Sequence, residues 1–186
     1  MTSTNAEIDN ELDWLLEHSN PKAVLAFTSS QLINEELWDQ ADMIAAAVVT
    51  LGEKPESRVN ELFGSGQLEK GLVLDTLASG LVDYCAKQVY EKIVVTAEKE
   101  GLAYTGRIFP GGADFSFSYQ EKLLALVDMT PIGVSVTSKL MMKPIKSTSF
   151  LTLLGKKVDS SLGCNQCKNC SKRSKCEYGR FDIFNQ

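Results

Sequence analysis

The chain has 186 residues, of which 44% are hydrophobic and 23% are charged, and its formal net charge is -5. This composition is typical of a globular protein, and the acidic balance argues against attraction of the whole surface to nucleic acid or an anionic membrane. No stretch approaches the roughly 18 uninterrupted apolar residues of a spanning helix. The first residues also lack the basic and apolar regions of a signal peptide. We therefore expect a cytoplasmic protein without membrane association.

The first part of the chain predicts a helix followed by two strands. Four apolar residues recur at helical spacing, namely Ile8, Leu12, Leu15 and Leu16. Asn20-Pro21 ends this pattern, and the short apolar run 22–27 that follows is suited to a strand. Residues 43–50 are continuously small and apolar, which predicts a second strand that is buried on both faces.

Two helices are predicted next. Pro55 stands at a favoured first helical position, and that helix ends at Gly64-Ser65-Gly66. A longer helix runs from about Leu68 to Lys99, and Gly101 is placed to cap its end. Its apolar stripe consists of Leu74, Leu77, Ala78, Leu81, Cys85 and Val89.

The opposite side of this long helix carries a polar line. Ser79, Asp83 and Lys87 follow one another at a spacing of four residues, so their side chains share one face. The line is either solvated surface or the wall of a site. Cys85, on the apolar stripe, is interpreted as a small core residue rather than a ligand.

The middle of the chain predicts strands and one tight turn. Residues 103–109 form a strand that leads into Pro110-Gly111-Gly112, where the missing side chains would let a ligand approach the backbone. A short helix begins at Ser118. Residues 132–137 alternate apolar and small polar side chains, and 147–154 are rich in β-formers, so both predict strands.

The composition changes at residue 156, which predicts a main domain over 1–155 and a cysteine-rich metal segment over 156–186. Four of the cysteines fall within thirteen residues, at Cys164, Cys167, Cys170 and Cys176. In a reducing compartment such clustering indicates a metal rather than disulfides. The C-x2-C-x2-C spacing is near the ferredoxin run, which favours an iron-sulfur cluster, most simply 4Fe-4S. Zinc is the alternative, although structural zinc sites more often use two separated cysteine pairs or add histidine.

The same segment is basic. Seven cationic residues stand against Asp159 and Glu177, so residues 156–180 carry +5; they are Lys156, Lys157, Lys168, Lys172, Arg173, Lys175 and Arg180. These cations could offset the negative charge of a cluster and raise its reduction potential. They could instead dock an acidic electron donor such as a ferredoxin or flavodoxin, or only keep a loop in solution.

Four short segments carry a family resemblance over roughly 43–155. They are Val49-Thr50-Leu51-Gly52, then Leu74-Asp75 with Ala78-Ser79-Gly80, then Arg107-Ile108-Phe109-Pro110-Gly111, and finally Ile132-Gly133-Val134-Ser135-Val136-Thr137 leading through Met141-Met142-Lys143-Pro144 to Lys146-Ser147. In order and spacing they resemble the activation, or reactivation, domain of cobalamin-dependent methionine synthase, including its stand-alone relatives in anaerobic bacteria.

The resemblance implies an α+β fold, in which a twisted, mostly antiparallel sheet and flanking helices form a crescent. It also implies binding of S-adenosylmethionine beside a corrinoid. The chain lacks the Asp-x-His-x-x-Gly signature of cobalamin carriers, so the corrinoid would belong to a partner corrinoid protein or cobalamin-dependent methyltransferase. The implied reaction is reductive activation, in which cob(II)alamin takes one electron and the methyl group traps cob(I)alamin.

The resemblance also assigns site residues by position. Arg107 matches the arginine that holds the carboxylate of S-adenosylmethionine, which suits a planar fork of donors. Pro110-Gly111 matches the turn whose backbone lies against the ligand, and Asp83 matches an acidic residue that faces the ligand's positive end. The chain departs from the family at Gly112, where a tyrosine is common, and at Ser138-Lys139, where a glutamate usually follows the strand threonine.

Other interpretations stay open at this point. Asp83 could pair with Lys87 one turn on, and Arg107 could be an ordinary surface arginine. At the level of function, the chain could be a non-enzymatic module whose zinc-stapled basic tail contacts a protein or nucleic acid. It could also be a corrinoid chaperone without redox turnover.

Overall fold

The computed structural model describes residues 5–30, 41–111 and 116–163. Its helices are α1 (Asn5–His18), α2 (Lys54–Gly64), α3 (Leu68–Lys99) and α4 (Tyr119–Ala125). Its strands are β1 (Lys22–Ser29), β2 (Met43–Thr50), β3 (Ala103–Tyr104), β4 (Ser135–Val136), β5 (Met142–Lys143) and β6 (Ser147–Gly155). Four of them form an antiparallel sheet in the order β1-β2-β6-β3. The predicted α+β class, with a mostly antiparallel sheet and flanking helices, is confirmed.

Strand β2 is the centre of the sheet. It pairs along its whole length with β1 on one side and β6 on the other, and all its residues after Met43 are buried. Its side chains alternate between two apolar cores: Ala45, Ala47 and Val49 enter one, and the residues between them enter the other. The prediction of a strand buried on both faces is confirmed, and the run is continuously apolar because neither face of the strand meets water.

Helices cover both faces of the sheet. Apolar residues of α1, α2 and α3 share one core with β2 and β6, and α4 and a short 3-10 helix (Thr130–Ile132) contribute to the other. Among the described residues no helix is long and apolar enough to cross a membrane.

The long helix α3 has the predicted bounds, but its buried line is shifted. The residues buried against the sheet and neighbouring helices are Gly71, Leu74, Ala78, Val82, Ala86, Tyr90, Ile93 and Ala97. Half of these are glycine or alanine, which lets the helix backbone approach its neighbours closely. The larger Leu77, Leu81 and Val89 pack at the margin and are only partly buried, as is Cys85. Burial raises the pKa of the Cys85 thiol, in keeping with a packing role.

Two predicted strands are largely wrong. Within 132–137 only Ser135–Val136 is extended, and it pairs with β5. The chain before it turns through the 3-10 helix, which Pro131 favours because its φ is fixed and it has no N–H. Ile132 is nevertheless buried, so the alternating pattern reported burial and not a strand. Of 103–109, only Ala103–Tyr104 is a strand, and Ile108 adds a single bridge to Leu151.

Lys146, directly before β6, connects α3 to the sheet. Its side chain is 9% exposed, and its Nζ lies 2.7 Å from Asp75 Oδ1. It also donates to the Asp75 carbonyl at 3.0 Å and to Ser79 Oγ at 2.9 Å. An ammonium has three N–H donors, so all of them have an acceptor on α3.

The loop around Lys146 is held on two further sides. The Ile145 N–H donates to Glu56 Oε2 of α2 at 2.8 Å. The Leu51 N–H donates to the Lys146 carbonyl at 2.9 Å, and Ser147 Oγ lies 2.8 Å from Thr50 Oγ1. The loop therefore joins α2, α3 and the end of β2, so that a shift of α3 would also disturb the contacts with α2 and β2.

We expect the two halves of the Lys146–Asp75 ion pair to differ in their effect on stability. Asp75→Ala leaves a buried ammonium without its counterion and should lower the free energy of unfolding by about 2 kcal/mol. Lys146→Met leaves a carboxylate that is 43% exposed and can return to water, so its cost should be about 1 kcal/mol or less. Urea unfolding of both variants checks this, and an equal or reversed order would contradict it.

Candidate ligand site

Arg107 is a buried cation between the sheet and α3. Its side chain is 10% exposed, and Nη1 lies 2.7 Å from Asp83 Oδ1. The same nitrogen donates to the Asp83 carbonyl at 3.3 Å. The guanidinium lies 5.3 Å from the centroid of the Phe109 ring, which is itself tilted against Phe150 at 6.1 Å. Arg107 is thus not an ordinary surface arginine, because helix and aromatic ring hold it in one position.

The two charges of this pair differ in exposure. The side chain of Asp83 is 62% exposed, whereas that of Arg107 is almost enclosed. Within the part of the chain that the structure describes, the guanidinium donates hydrogen bonds only from Nη1. An arginine has five N–H donors in a planar fork, so those on Nε and Nη2 are left for another acceptor.

The polar line of α3 therefore faces the buried cations. Asp75 and Ser79 hold Lys146, and Asp83, two turns beyond Asp75, holds Arg107. Asp83 pairs with Arg107, and the ion pairs of the described residues include none between Asp83 and Lys87. Ser79 and Asp83 of the polar line thus contact buried cations, whereas Lys87 is exposed to solvent.

The turn after Arg107 is the third predicted element of the site. Gly111 has a φ of +83°, a conformation that favours glycine, and a Cβ placed there would lie 3.4 Å from the Phe117 ring. Pro110 before it is partly buried. The structure thus brings Arg107 and Asp83 into direct contact, with Pro110 and Gly111 three and four residues further along the same segment. Gly112 lies outside the described residues.

The predicted metal ligands also lie outside the described residues, which end at Gly163. Cys164, Cys167, Cys170 and Cys176 all follow that point. Elsewhere, the described ranges hold no group of three or more His, Cys, Asp or Glu side chains arranged to bind a metal ion.

The residues just before Cys164 pack against the backbone of Gly106 and Arg107. The Gly106 N–H donates to the Leu162 carbonyl at 2.8 Å. Gly163 has a φ of +76°, and a Cβ on it would lie 2.8 Å from the Gly106 carbonyl atoms and 3.0 Å from the Arg107 carbonyl oxygen. Glycine is therefore required at position 163 both by its backbone conformation and by this close approach.

The contacts of Lys146 with α3 and of Gly163 with Gly106 were not predicted from the sequence. Lys146 stands directly before a β-rich run, and a lysine that becomes buried there needs a partner for its charge. Gly163 had the weaker signal of a glycine directly before the first cysteine. Neither signal names the partner residue, because both partners are distant in the chain.

Comparison with known proteins gives a likeness of fold. No family model matches the chain, and no curated protein does. Among solved structures, the chain is similar to the MetH reactivation domain bound to AdoHcy, with a TM-score of 0.65 and 15% sequence identity. The match covers 96% of this chain and 74% of that one. At this identity the likeness shows a shared fold, which is the fold that the sequence resemblance implied.

Proposed function

We propose that the chain takes part in the reductive activation of a corrinoid held by a partner corrinoid protein or methyltransferase. In this proposal S-adenosylmethionine binds at Arg107, and an iron-sulfur cluster on Cys164, Cys167, Cys170 and Cys176 delivers the electron. The corrinoid's cobalt would gain one electron from the cluster, and the methyl group of S-adenosylmethionine would trap the reduced cobalt. A low-potential donor such as a ferredoxin or flavodoxin would return one electron to the cluster.

The ligand part of the proposal is supported by Arg107. AdoHcy, which the MetH reactivation domain binds, carries a carboxylate, and a guanidinium fork is well suited to hold one. Arg107 is buried over Phe109 with donors to spare, so a carboxylate that arrives there would be shielded from water and bound more strongly than at the surface. We propose that Asp83, beside it, faces the positive end of the same ligand.

The observation that carries the electron-delivery part is the contact of Leu162 and Gly163 with Gly106 and Arg107. Leu162 is hydrogen-bonded to Gly106, and Gly163 lies against the backbone of Gly106 and Arg107. Cys164 is the next residue, and consecutive Cα atoms are only about 3.8 Å apart. Chain connectivity thus favours a metal centre close to the candidate ligand site, as electron delivery to a docked corrinoid requires.

We expect Arg107→Lys to weaken binding of AdoHcy at least about tenfold, because an ammonium cannot engage a carboxylate through two parallel hydrogen bonds. Calorimetric titration of AdoHcy into the purified protein measures this. Arg58→Lys is the matched control, since Arg58 also pairs with a carboxylate, Glu61, and lies 5.8 Å from the centroid of an aromatic ring, that of Trp14. Equal affinities for both variants would contradict a role for Arg107 in binding.

The anaerobically reconstituted protein should contain about four iron and four sulfide per chain. Replacing Cys164, Cys167, Cys170 or Cys176 by serine should remove most of this iron, whereas Cys85→Ser should not, because that thiol lies on α3 and packs against the apolar core. Elemental analysis and absorbance spectra give the result. Stoichiometric zinc without cluster absorbance would overturn electron delivery and favour a zinc-stapled binding module.

Gly163→Ala should slow the reduction of a partner's cob(II)alamin about tenfold without lowering the iron content, because the added methyl group pushes the cysteine segment away from Gly106 and Arg107. The rate is measured by absorbance with titanium(III) citrate as reductant. Gly101→Ala is the control, since Gly101 also has a positive φ but has open space at the Cβ position. Equal slowing in both variants would show that the contact at Gly163 has no part in electron delivery.

A further inference from the structure

We propose that the exposed face of α3 around Gly80 is a docking site for the aromatic residues of segment 178–184 of the same chain. Gly80 would seat one phenylalanine ring of this segment against the helix backbone. The inference goes beyond the proposed function, because it requires neither a ligand at Arg107 nor a particular metal on the four cysteines.

Gly80 is a helix residue that packing within the described structure does not explain. Glycine is among the poorest helix formers, yet Gly80 stands near the middle of α3, which has 32 residues. Among the described residues, a Cβ on Gly80 would meet no heavy atom within 4 Å. The small residue is explained if another group approaches the helix backbone at this point.

The other glycine of α3 shows what such a position is used for. A Cβ on Gly71 would lie 2.5 Å from both Cδ1 and Cε1 of Phe63. The Phe63 ring of α2 therefore rests directly on the backbone of α3, in space that a side chain at position 71 would fill. Gly80 offers a comparable seat about two and a half turns further along the helix.

The face of α3 around Gly80 is exposed and carries no charge over about four turns. Residues four apart lie on the same face of a helix, and the exposed residues at this spacing are Leu72, Thr76, Gly80, Tyr84 and Gln88. Leu72 is 63% exposed and Tyr84 is 46% exposed. These two larger side chains flank a low centre at Thr76 and Gly80, which suits a flat aromatic ring.

The sequence after Gly163 supplies an occupant of matching chemistry. Apart from cysteine, all its hydrophobic residues fall within 178–184, and they are Tyr178, Phe181, Ile183 and Phe184. The cations of the cysteine segment all precede Phe181, and the only charge within 181–184 is that of Asp182. A cluster of three aromatic rings gains free energy by leaving water for an uncharged surface.

The described end of the chain lies close to this face. Gly163 packs against the Arg107 backbone, and the Arg107 side chain contacts Asp83, three residues after Gly80. A metal centre would hold the last of the four cysteines near the first. The five residues from there to the first phenylalanine span up to about 17 Å when extended. The segment therefore reaches Gly80 without a change in the described fold.

The experiment places a photo-cross-linker in the segment. The full chain is prepared with benzoylphenylalanine in place of Phe181 and, as a second protein, in place of Phe184. Irradiation and peptide mapping should give a cross-link within one chain to residues 72–88. In Gly80→Leu, whose side chain fills the seat, the yield should fall at least about fivefold. Lys92→Leu is the control, because it adds the same side chain to an exposed position about 18 Å further along α3, and it should leave the yield unchanged.

Thermal unfolding checks that Gly80→Leu is folded, as expected from the higher helix propensity of leucine. The inference is wrong if neither label cross-links to α3, or if Gly80→Leu gives the same yield as the parent protein. Cross-links between two chains, with a yield that grows with protein concentration, would also overturn it and would assign the face to a second copy. Iron analysis of the same samples tests the cluster separately, so either proposal can fail without the other.

Discussion

The neutralisation of two buried cations by one face of α3 is the interaction on which the rest of the structure depends. Lys146 and Arg107 lie on the sheet side. The side chain of Lys146 is 9% exposed and that of Arg107 is 10% exposed. Leaving either charge unpaired would cost more free energy than a single apolar contact returns. The packing of α3 on the sheet therefore has to place the carboxylates of Asp75 and Asp83 beside these two cations.

The two pairs do different work although they are built alike. Lys146 belongs to a closed set of hydrogen bonds that also includes α2 and the end of β2, so it serves mainly to hold the frame. Among the described residues, Arg107 donates hydrogen bonds only from Nη1, and its counterion Asp83 is exposed. Under the proposed function, the Lys146 pair keeps the frame unchanged while a ligand binds to the remaining donors of Arg107.

The contact of Gly163 with Gly106 and Arg107 joins the domain to the cysteine segment. It is a backbone-to-backbone approach that no other residue type would permit. Val158, just beyond β6, is buried in the core that α4 covers, so residues 156–163 are packed on the main domain. Residues 156–163 thus lead from β6 to the backbone of Gly106 and Arg107.

The sequence by itself determined what depends on neighbouring residues. The run at 43–50 and the helix at 68–99 have the predicted bounds, because an unbroken apolar stretch and a capped helical period are local signals. The sequence also indicated Arg107 and Asp83 as candidate ligand residues and the four spaced cysteines as candidate metal ligands. Only the tertiary structure decided which charges meet. Arg107 pairs with a residue 24 positions away and Lys146 with one 71 positions away. Such partners are chosen by the packing of α3 on the sheet, and no local pattern reports that packing.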